Sequence, residues 1–311
     1  MTINILFSAL HERWDQYRET LPRALGAVGI DDVHIARELP PESVDYVVFA
    51  PNGPVKDFSP FVNCRAVLSL WAGVETIVGN PTLTQPLCRM VDDGLRQGMV
   101  EWVVGHCLRH HLGMDIHING QDGVWRDFVP PLAKDRPVTI LGLGALGAAC
   151  GQALAGLGFP TRGWSRSPKT IEGIECYHGE TGLESALSGS AIVVLLLPDT
   201  PATRNTLNAR SLALLARGAF VLNPGRGPLI NDDDLIAALE SGQVAHATLD
   251  TFRVEPLPQD HPFWRNPNVT VTPHIASETR AETASQIIAE NIRRSEAGEP
   301  LLFLVDRTTG Y

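Results

Sequence analysis

Pro137-Val138-Thr139-Ile140-Leu141-Gly142-Leu143-Gly144-Ala145-Leu146-Gly147 is the stretch whose reading decides the fold. An apolar, β-branched run (137–143) reads as a buried strand, and the helical pattern at 146–157 follows at once. The turn joining them is G-x-G-x-x-G. Gly142 permits the tight turn, Gly144 lets a pyrophosphate approach the backbone, and Gly147 lets helix and strand pack closely. Ala145 and Leu146 occupy the variable places at the opening of the helix, whose free N–H groups and positive end would face the phosphates. The chain has 28 glycines, so the motif alone also fits an ordinary strand-to-helix turn. Its strand and helix context favours a dinucleotide-binding site.

The next predicted strand, 161–165, selects the dinucleotide. In NAD binders an acidic residue about 20 positions on holds the ribose 2′-hydroxyl. Here the strand ends in Ser165-Arg166-Ser167-Pro168-Lys169. Two hydroxyls and two cations stand where a carboxylate would repel a 2′-phosphate. Ser165 and Ser167 can donate hydrogen bonds, Arg166 can pair in bidentate fashion, and Lys169 adds charge. The alternative is a solvated basic loop; the charge pattern favours NADP(H) over NAD(H).

Outward from this unit the chain keeps alternating. Strands are predicted at 191–197, 219–223, 246–250 and 269–272, and helices at 182–187, 209–216 and 232–241, the last capped by Asn231. The first hundred residues repeat the pattern, with strands at 4–10, 44–50 and 66–71 and a helix at 14–28. Helices are also predicted at 94–113 and 277–294. The expected class is α/β, with doubly wound parallel sheets. A length of 311 residues suits two domains.

Composition narrows the function classes. Hydrophobic residues make up 44%, enough for real cores. The net charge of −10, with no Lys/Arg block, argues against nucleic-acid binding. No apolar run approaches a membrane span. The 5 cysteines form no C-x-x-C pair, which argues against a disulfide framework and a zinc site. The start, Met1-Thr2-Ile3-Asn4-Ile5-Leu6-Phe7, lacks signal-peptide features. A cytoplasmic protein without bound metal or membrane partner is expected.

Three polar segments follow predicted strands: Asn223-Pro224-Gly225-Arg226-Gly227, Asp250 to Pro258, and Thr272-Pro273-His274-Ile275-Ala276-Ser277. Open α/β sheets bind ligands at these carboxyl ends. Reduction of a 2-keto acid needs a cation for the carboxylate and the developing oxyanion, a proton donor, and a carboxylate that favours the donor's charged form. Arg226, His274 and Glu255 are the respective candidates. Each alone has another reading: a surface arginine, a residue preceding a turn proline, and one of 10 histidines.

Taken in order, the segments resemble the D-isomer-specific 2-hydroxyacid dehydrogenases. The matching pieces are G-L-G-A-L-G, W-S-R-S, L-L-P-D-T-P-A-T (196–203), N-P-G-R-G, D-D-D-L-I-A-A-L, E-P-L-P, T-P-H-I-A and the terminal V-D-R-x-x-G-Y. The resemblance runs from about residue 40 to the end, and is strongest for members that reduce glyoxylate and hydroxypyruvate with NADPH. It implies an Arg226–Glu255–His274 catalytic set. It implies that Asp250 contacts the nicotinamide carboxamide and that Leu197, Pro198 and Thr203 line the cofactor, and Asn223, Pro224, Gly225 and Ala276 are assigned there too.

The family's substrate loop, G-A-G-V-D, is here Trp71-Ala72-Gly73-Val74-Glu75, whose N–H groups would hold the substrate carboxylate beside Arg226 and His274. Trp71 for glycine and Glu75 for aspartate bear on pocket size. The implied fold is a Rossmann-type cofactor domain (104–279) inserted into a flavodoxin-like substrate domain (1–103 plus 280–311). The helix at 94–113 would contribute to the hinge and to a homodimer; on its pattern alone it also fits an internal core helix. A dehydrogenase for a larger keto acid and a non-catalytic NAD(H)-sensing protein of the same fold stay open as alternatives.

Overall fold

Short apolar runs that are buried on both faces pair most readily with one another, and here they do so in two parallel sheets. The computed structural model describes residues 2–307. The chain forms two units: Met1–Leu95 with Glu278–Tyr311, and Arg96–Ser277 inserted between them in sequence. Residues 308–311 of the terminal motif lie outside the described residues.

In the first unit, β1 (Ile3–Ser8), β2 (Val33–Ala36), β3 (Tyr46–Phe49), β4 (Ala66–Ser69) and β5 (Leu87–Cys88) pair in the parallel order β2-β1-β3-β4-β5. This is the flavodoxin-like order. Helix α1 (His11–Ala27) packs against the C-terminal helix (Ala281–Glu296). Tyr17, Leu21 and Leu25 meet Ala284, Ile288 and Ile292 over Ile5 and Phe7. Sequence periodicity did not disclose β2 and β5. The first is a half-buried edge strand and the second is two residues long. The C-terminal helix starts at Ala281 rather than 277.

In the second unit, α2 (Asp93–Leu112) and α3 (Met114–Ile118) precede β6 (Val138–Leu141) and α4 (Ala145–Gly156). Then come β7 (Thr161–Ser165), β8 (Glu175–His178), α5 (Gly179–Leu187) and β9 (Ile192–Leu195). The unit closes with α6 (Ala209–Leu212), β10 (Ala219–Asn223), α7 (Asp232–Glu240), β11 (Val244–Leu249) and β12 (Val269–Val271). All seven strands are parallel, ordered β12-β11-β10-β9-β6-β7-β8. Counted from β6, this is the Rossmann arrangement with one strand added at the edge.

Alternate residues of β9 face opposite cores: Val193 and Leu195 join Leu141, Val221 and Leu249, whereas Ile192 and Val194 join Ile140 and Leu222. Met99, Val103 and Cys107 of α2 cover the second of these faces with Cys150 and Leu154 of α4. Helix α6 stops four residues earlier than its pattern suggests. The Gln243 amide donates to the Leu212 and Leu215 carbonyls (3.1 and 3.0 Å), so the chain turns instead of extending the helix. No helix among the described residues is long and apolar enough to cross a membrane.

Candidate active site

The turn after β6 has the geometry its glycines require. Gly142 adopts φ 108° and donates its N–H to the Trp164 carbonyl (2.8 Å). A Cβ there would lie 2.6 Å from the Leu196 carbonyl oxygen. One on Gly147 would lie 1.8 Å from the Gly142 carbonyl oxygen, so α4 and β6 meet only through glycine. Gly144 differs: a Cβ there would find nothing within 4 Å. Its φ of −76° is open to any residue, so the backbone does not require glycine. What glycine leaves is open space in front of the α4 N-terminus, where no side chain caps the first-turn N–H groups. An uncapped helix start behind a bare backbone fits a pyrophosphate.

At the end of β7, the buried Ser165 hydroxyl donates to the Ser167 carbonyl (2.8 Å) and shapes the turn. Arg166, Ser167 and Lys169 are exposed. After β9, Leu196 N–H returns to the Leu141 carbonyl (2.7 Å) beside the glycine turn. Leu197 is buried, and Thr203 braces this loop by donating to the Pro198 carbonyl (2.6 Å) and accepting from Thr200 N–H (2.9 Å).

The three polar segments are laced together. The Asn223 carboxamide accepts from Gly225 N–H (3.2 Å) and donates to the Arg226 carbonyl (2.9 Å), so it holds the arginine loop from within. Pro224 and Gly225 are buried, and the Arg226 guanidinium donates to the Gly225 carbonyl (2.7 Å). A Cβ on Gly227 would lie 1.9 Å from the Phe252 carbonyl carbon, which sets the loop directly against the segment bearing Glu255. The Glu255 carboxylate accepts from Phe252 N–H (2.8 Å) with one oxygen and bonds His274 Nδ1 (2.8 Å) with the other. Glu255 and His274, nineteen residues apart, thus form one unit. The His274 side chain is 51% exposed, which leaves its Nε2 edge open to a reactant.

His274 is held in the left-handed region, φ 54°, an uncommon conformation for a side-chain-bearing residue. Asp250 sustains it. The Asp250 carbonyl accepts from His274 N–H (2.8 Å), and its carboxylate accepts from Ile275 and Ala276 N–H (both 2.9 Å) and from the Thr272 hydroxyl (2.6 Å). Asp250 is 1% exposed, so a buried carboxylate clamps the histidine loop. The sequence reading missed this clamp and its partner Thr272: T-P-H-I-A was visible, but nothing in the spacing ties it to Asp250. In the first unit, Trp71 follows β4. Its N–H donates to Ser69 Oγ (3.0 Å) and its carbonyl accepts from Met90 N–H (3.0 Å). Trp71 is exposed, Ala72 and Gly73 are half-buried, and Val74 is buried.

A doubly wound cofactor-type sheet with an Arg, Glu and His at its strand ends defines a dehydrogenase class, and comparisons agree. Residues 104–276 match the model of the D-isomer specific 2-hydroxyacid dehydrogenase, NAD binding domain. A protein of Serratia proteamaculans named glyoxylate/hydroxypyruvate reductase A is 41% identical over 255 residues, covering 79% of this chain and 82% of that one. A D-isomer specific 2-hydroxyacid dehydrogenase from Xanthobacter autotrophicus Py2, solved with NADPH and MES, is 42% identical with a TM-score of 0.93, both chains covered in full. The NADPH-dependent glyoxylate/hydroxypyruvate reductase of Sinorhizobium meliloti, solved with NADP and sulfate, is 33% identical with a TM-score of 0.82, covering 100% of this chain and 99% of that one. The chain belongs to the D-isomer specific 2-hydroxyacid dehydrogenase family, as its motifs indicated.

Proposed function

We propose that this protein is an NADPH-dependent reductase of small 2-keto acids, converting glyoxylate to glycolate and hydroxypyruvate to D-glycerate. The observation that carries the reading is the His274–Glu255 pair, presented beside the Arg226 loop on a strained, Asp250-clamped backbone. When bound, NADPH supplies the hydride. The open Gly144 turn receives its pyrophosphate, and Arg166, Ser167 and Lys169 recognise the 2′-phosphate. Because Nδ1 faces Glu255, Nε2 is the nitrogen left to give a proton to the substrate carbonyl oxygen. The Glu255 carboxylate, bonded to Nδ1, fixes the plane of the ring throughout. Arg226 holds the substrate carboxylate and steadies the negative charge that grows on the carbonyl oxygen. The names and ligands of the Serratia, Xanthobacter and Sinorhizobium proteins support this assignment.

A substrate panel followed at 340 nm with NADPH and with NADH tests the reading. Glyoxylate and hydroxypyruvate should be reduced faster than phenylpyruvate, and NADPH should serve better than NADH. His274→Ala should lose about 10²–10⁴-fold in kcat while NADPH affinity stays within about twofold. A phenylpyruvate preference would move the assignment to larger acids, and no turnover with any keto acid would favour a sensor.

The same reading includes a homodimer in the cytoplasm. Ile116, Ile118, Val124, Trp125, Val129 and Leu132 form an exposed apolar stretch, with Trp125 93% exposed, and a second copy is the occupant we assign to it. Five free cysteines suit a reducing compartment. Light scattering should give about twice the chain mass, and Trp125→Glu with Val129→Asp should halve it.

A further inference from the structure

Beyond Phe252 the chain carries Glu255 across a stretch with little main-chain support. Among the described residues, no main-chain N–H or carbonyl from Arg253 to Leu257 takes part in a hydrogen bond. The inner side of this stretch borders a cavity of about 210 Å³, walled on its other sides by Ile230, Leu235, Leu249 and Phe263, so close packing does not fix it from within. Apart from His274, the Glu255 carboxylate has one anchor, the Phe252 N–H (2.8 Å). A single bond of this kind leaves the carboxylate free to swing about it.

The Arg253 side chain supplies what the main chain lacks. Its guanidinium donates to the Asn205 side-chain oxygen and to the Ile230 carbonyl, and its Nε lies 3.4 Å from an Asp232 carboxylate oxygen at the start of α7. The segments that bear these acceptors are laced to one another. Asn205 N–H donates to the Pro228 carbonyl (2.8 Å), Leu207 N–H to the Leu229 carbonyl (3.0 Å), and Asn231 N–H to the Leu207 carbonyl (2.8 Å). They continue the arginine loop, since Leu229 N–H donates to the Arg226 carbonyl (3.2 Å). One guanidinium therefore ties the Glu255 segment to the loop bearing Arg226, all within the second unit. A planar fork of charged donors suits this task, because it reaches several acceptors from one rigid group.

We propose that Arg253 is a positioning residue that sets the distance between the Arg226 loop and the Glu255–His274 pair. The inference rests on the reductase reading above, in which Arg226 and His274 act on the same keto acid. A reacting group displaced by about 1 Å can cost on the order of a hundredfold in rate. A loosened segment would thus lower turnover while every catalytic side chain is still present. The cofactor turn at Gly142–Gly147 and the loop from Ser165 to Lys169 belong to other elements and do not depend on this tie.

The test compares Arg253→Met and Arg253→Lys with wild type in kcat and KM for glyoxylate, in NADPH affinity, and in the NMR signal of the His274 Nδ1 proton, assigned with His274→Ala. Methionine keeps an apolar stem and removes every donor. Arg253→Met should lower kcat about tenfold or more while NADPH affinity stays within about twofold of wild type. The Nδ1 proton signal, sharp in wild type, should broaden in Arg253→Met as the bond to Glu255 opens. Arg253→Lys, which restores one charged donor group, should recover part of kcat and part of the signal. A kcat for Arg253→Met within about twofold of wild type overturns the proposal. So does a fall in kcat with the Nδ1 signal unchanged, or one matched by an equal loss of NADPH affinity, which would make Arg253 a support of the whole unit. A wild type that reduces no keto acid overturns the reductase reading itself, while the Nδ1 signal still decides whether Arg253 positions Glu255.

Discussion

Each of the two sheets has a place where strand order reverses, next to its first strand, and the two places are finished in opposite ways. In the first unit it lies between β1 and β3, and the chain fills it. Gly53 is buried so tightly that a Cβ would lie 2.4 Å from the Ser8 carbonyl oxygen, and Val55 N–H donates to Ser8 Oγ (3.1 Å). In the second unit it lies between β6 and β9, and the chain keeps clear of it: Gly142 and Gly147 pack their neighbours close while Gly144 fronts open space. Both folds supply a potential ligand point at the switch of strand order. Only the loop chemistry makes one of them a cofactor cradle, so architecture locates the site and residues decide whether it exists.

Two substitutions separate these roles. Gly144→Leu should weaken NADPH binding by at least about a hundredfold, since a side chain would occupy the space the pyrophosphate needs. Its melting temperature should stay within about 2 °C of wild type, because the Cβ at this position meets no atom within 4 Å and the backbone is open to any residue. Titration by NADPH fluorescence alongside a thermal melt checks both numbers, and a Gly144→Leu that binds normally would break the contrast. Gly53→Ala should do the reverse. The added methyl collides with backbone that cannot swing away, costing about 1–3 kcal/mol in a denaturant melt while NADPH affinity is unchanged. Equal stability of Gly53→Ala and wild type would mean that the first switch point is not filled as tightly as drawn.

The same contrast explains what could be read without coordinates. The strand-turn-helix at 137–157 was legible because its periodicity, glycine spacing and helix start agree over a short span. The Arg226, Glu255 and His274 segments were legible because each directly follows a buried strand. β2, β5 and β8 were not, since strands of two to four residues at or near a sheet edge leave little periodic signal. The Asp250 clamp was hidden for a different reason. It depends on hydrogen bonds across some 22 to 26 residues and on a left-handed His274, and local pattern encodes neither. The end of α6 depended likewise on Gln243, some thirty residues on.

The smallest expected effect separates the units by acid. His11 and His34, the two histidines of the first unit, are exposed. In the second unit, His110 lies under β11 with its ring stacked on Phe220 (4.7 Å) and its Nε2 bonded to the Thr248 hydroxyl (2.9 Å). His246, 5.1 Å from it ring to ring, bonds the Thr270 hydroxyl (2.8 Å). Burial, helped by His246 and by Arg109, pushes His110 down to about 3. Burial and Arg109 push His246 down to about 4. Both native values lie below the unfolded value of about 6.5, so the unfolded chain binds protons first. The stability tied to these neutral rings is therefore intact above pH about 6.5 and is lost as pH falls toward about 3. For His110 the loss on going from pH 8 to pH 5 is on the order of 2 kcal/mol. Hydrogen exchange should show amides of β11 and β12 losing protection before those of β1 and β3 over this range. His110→Phe should flatten the decline in melting temperature between pH 8 and pH 5, although the orphaned Thr248 hydroxyl lowers its stability at every pH. Equal slopes for His110→Phe and wild type would show that this histidine does not set the acid limit, and the difference between the units would have to come from elsewhere.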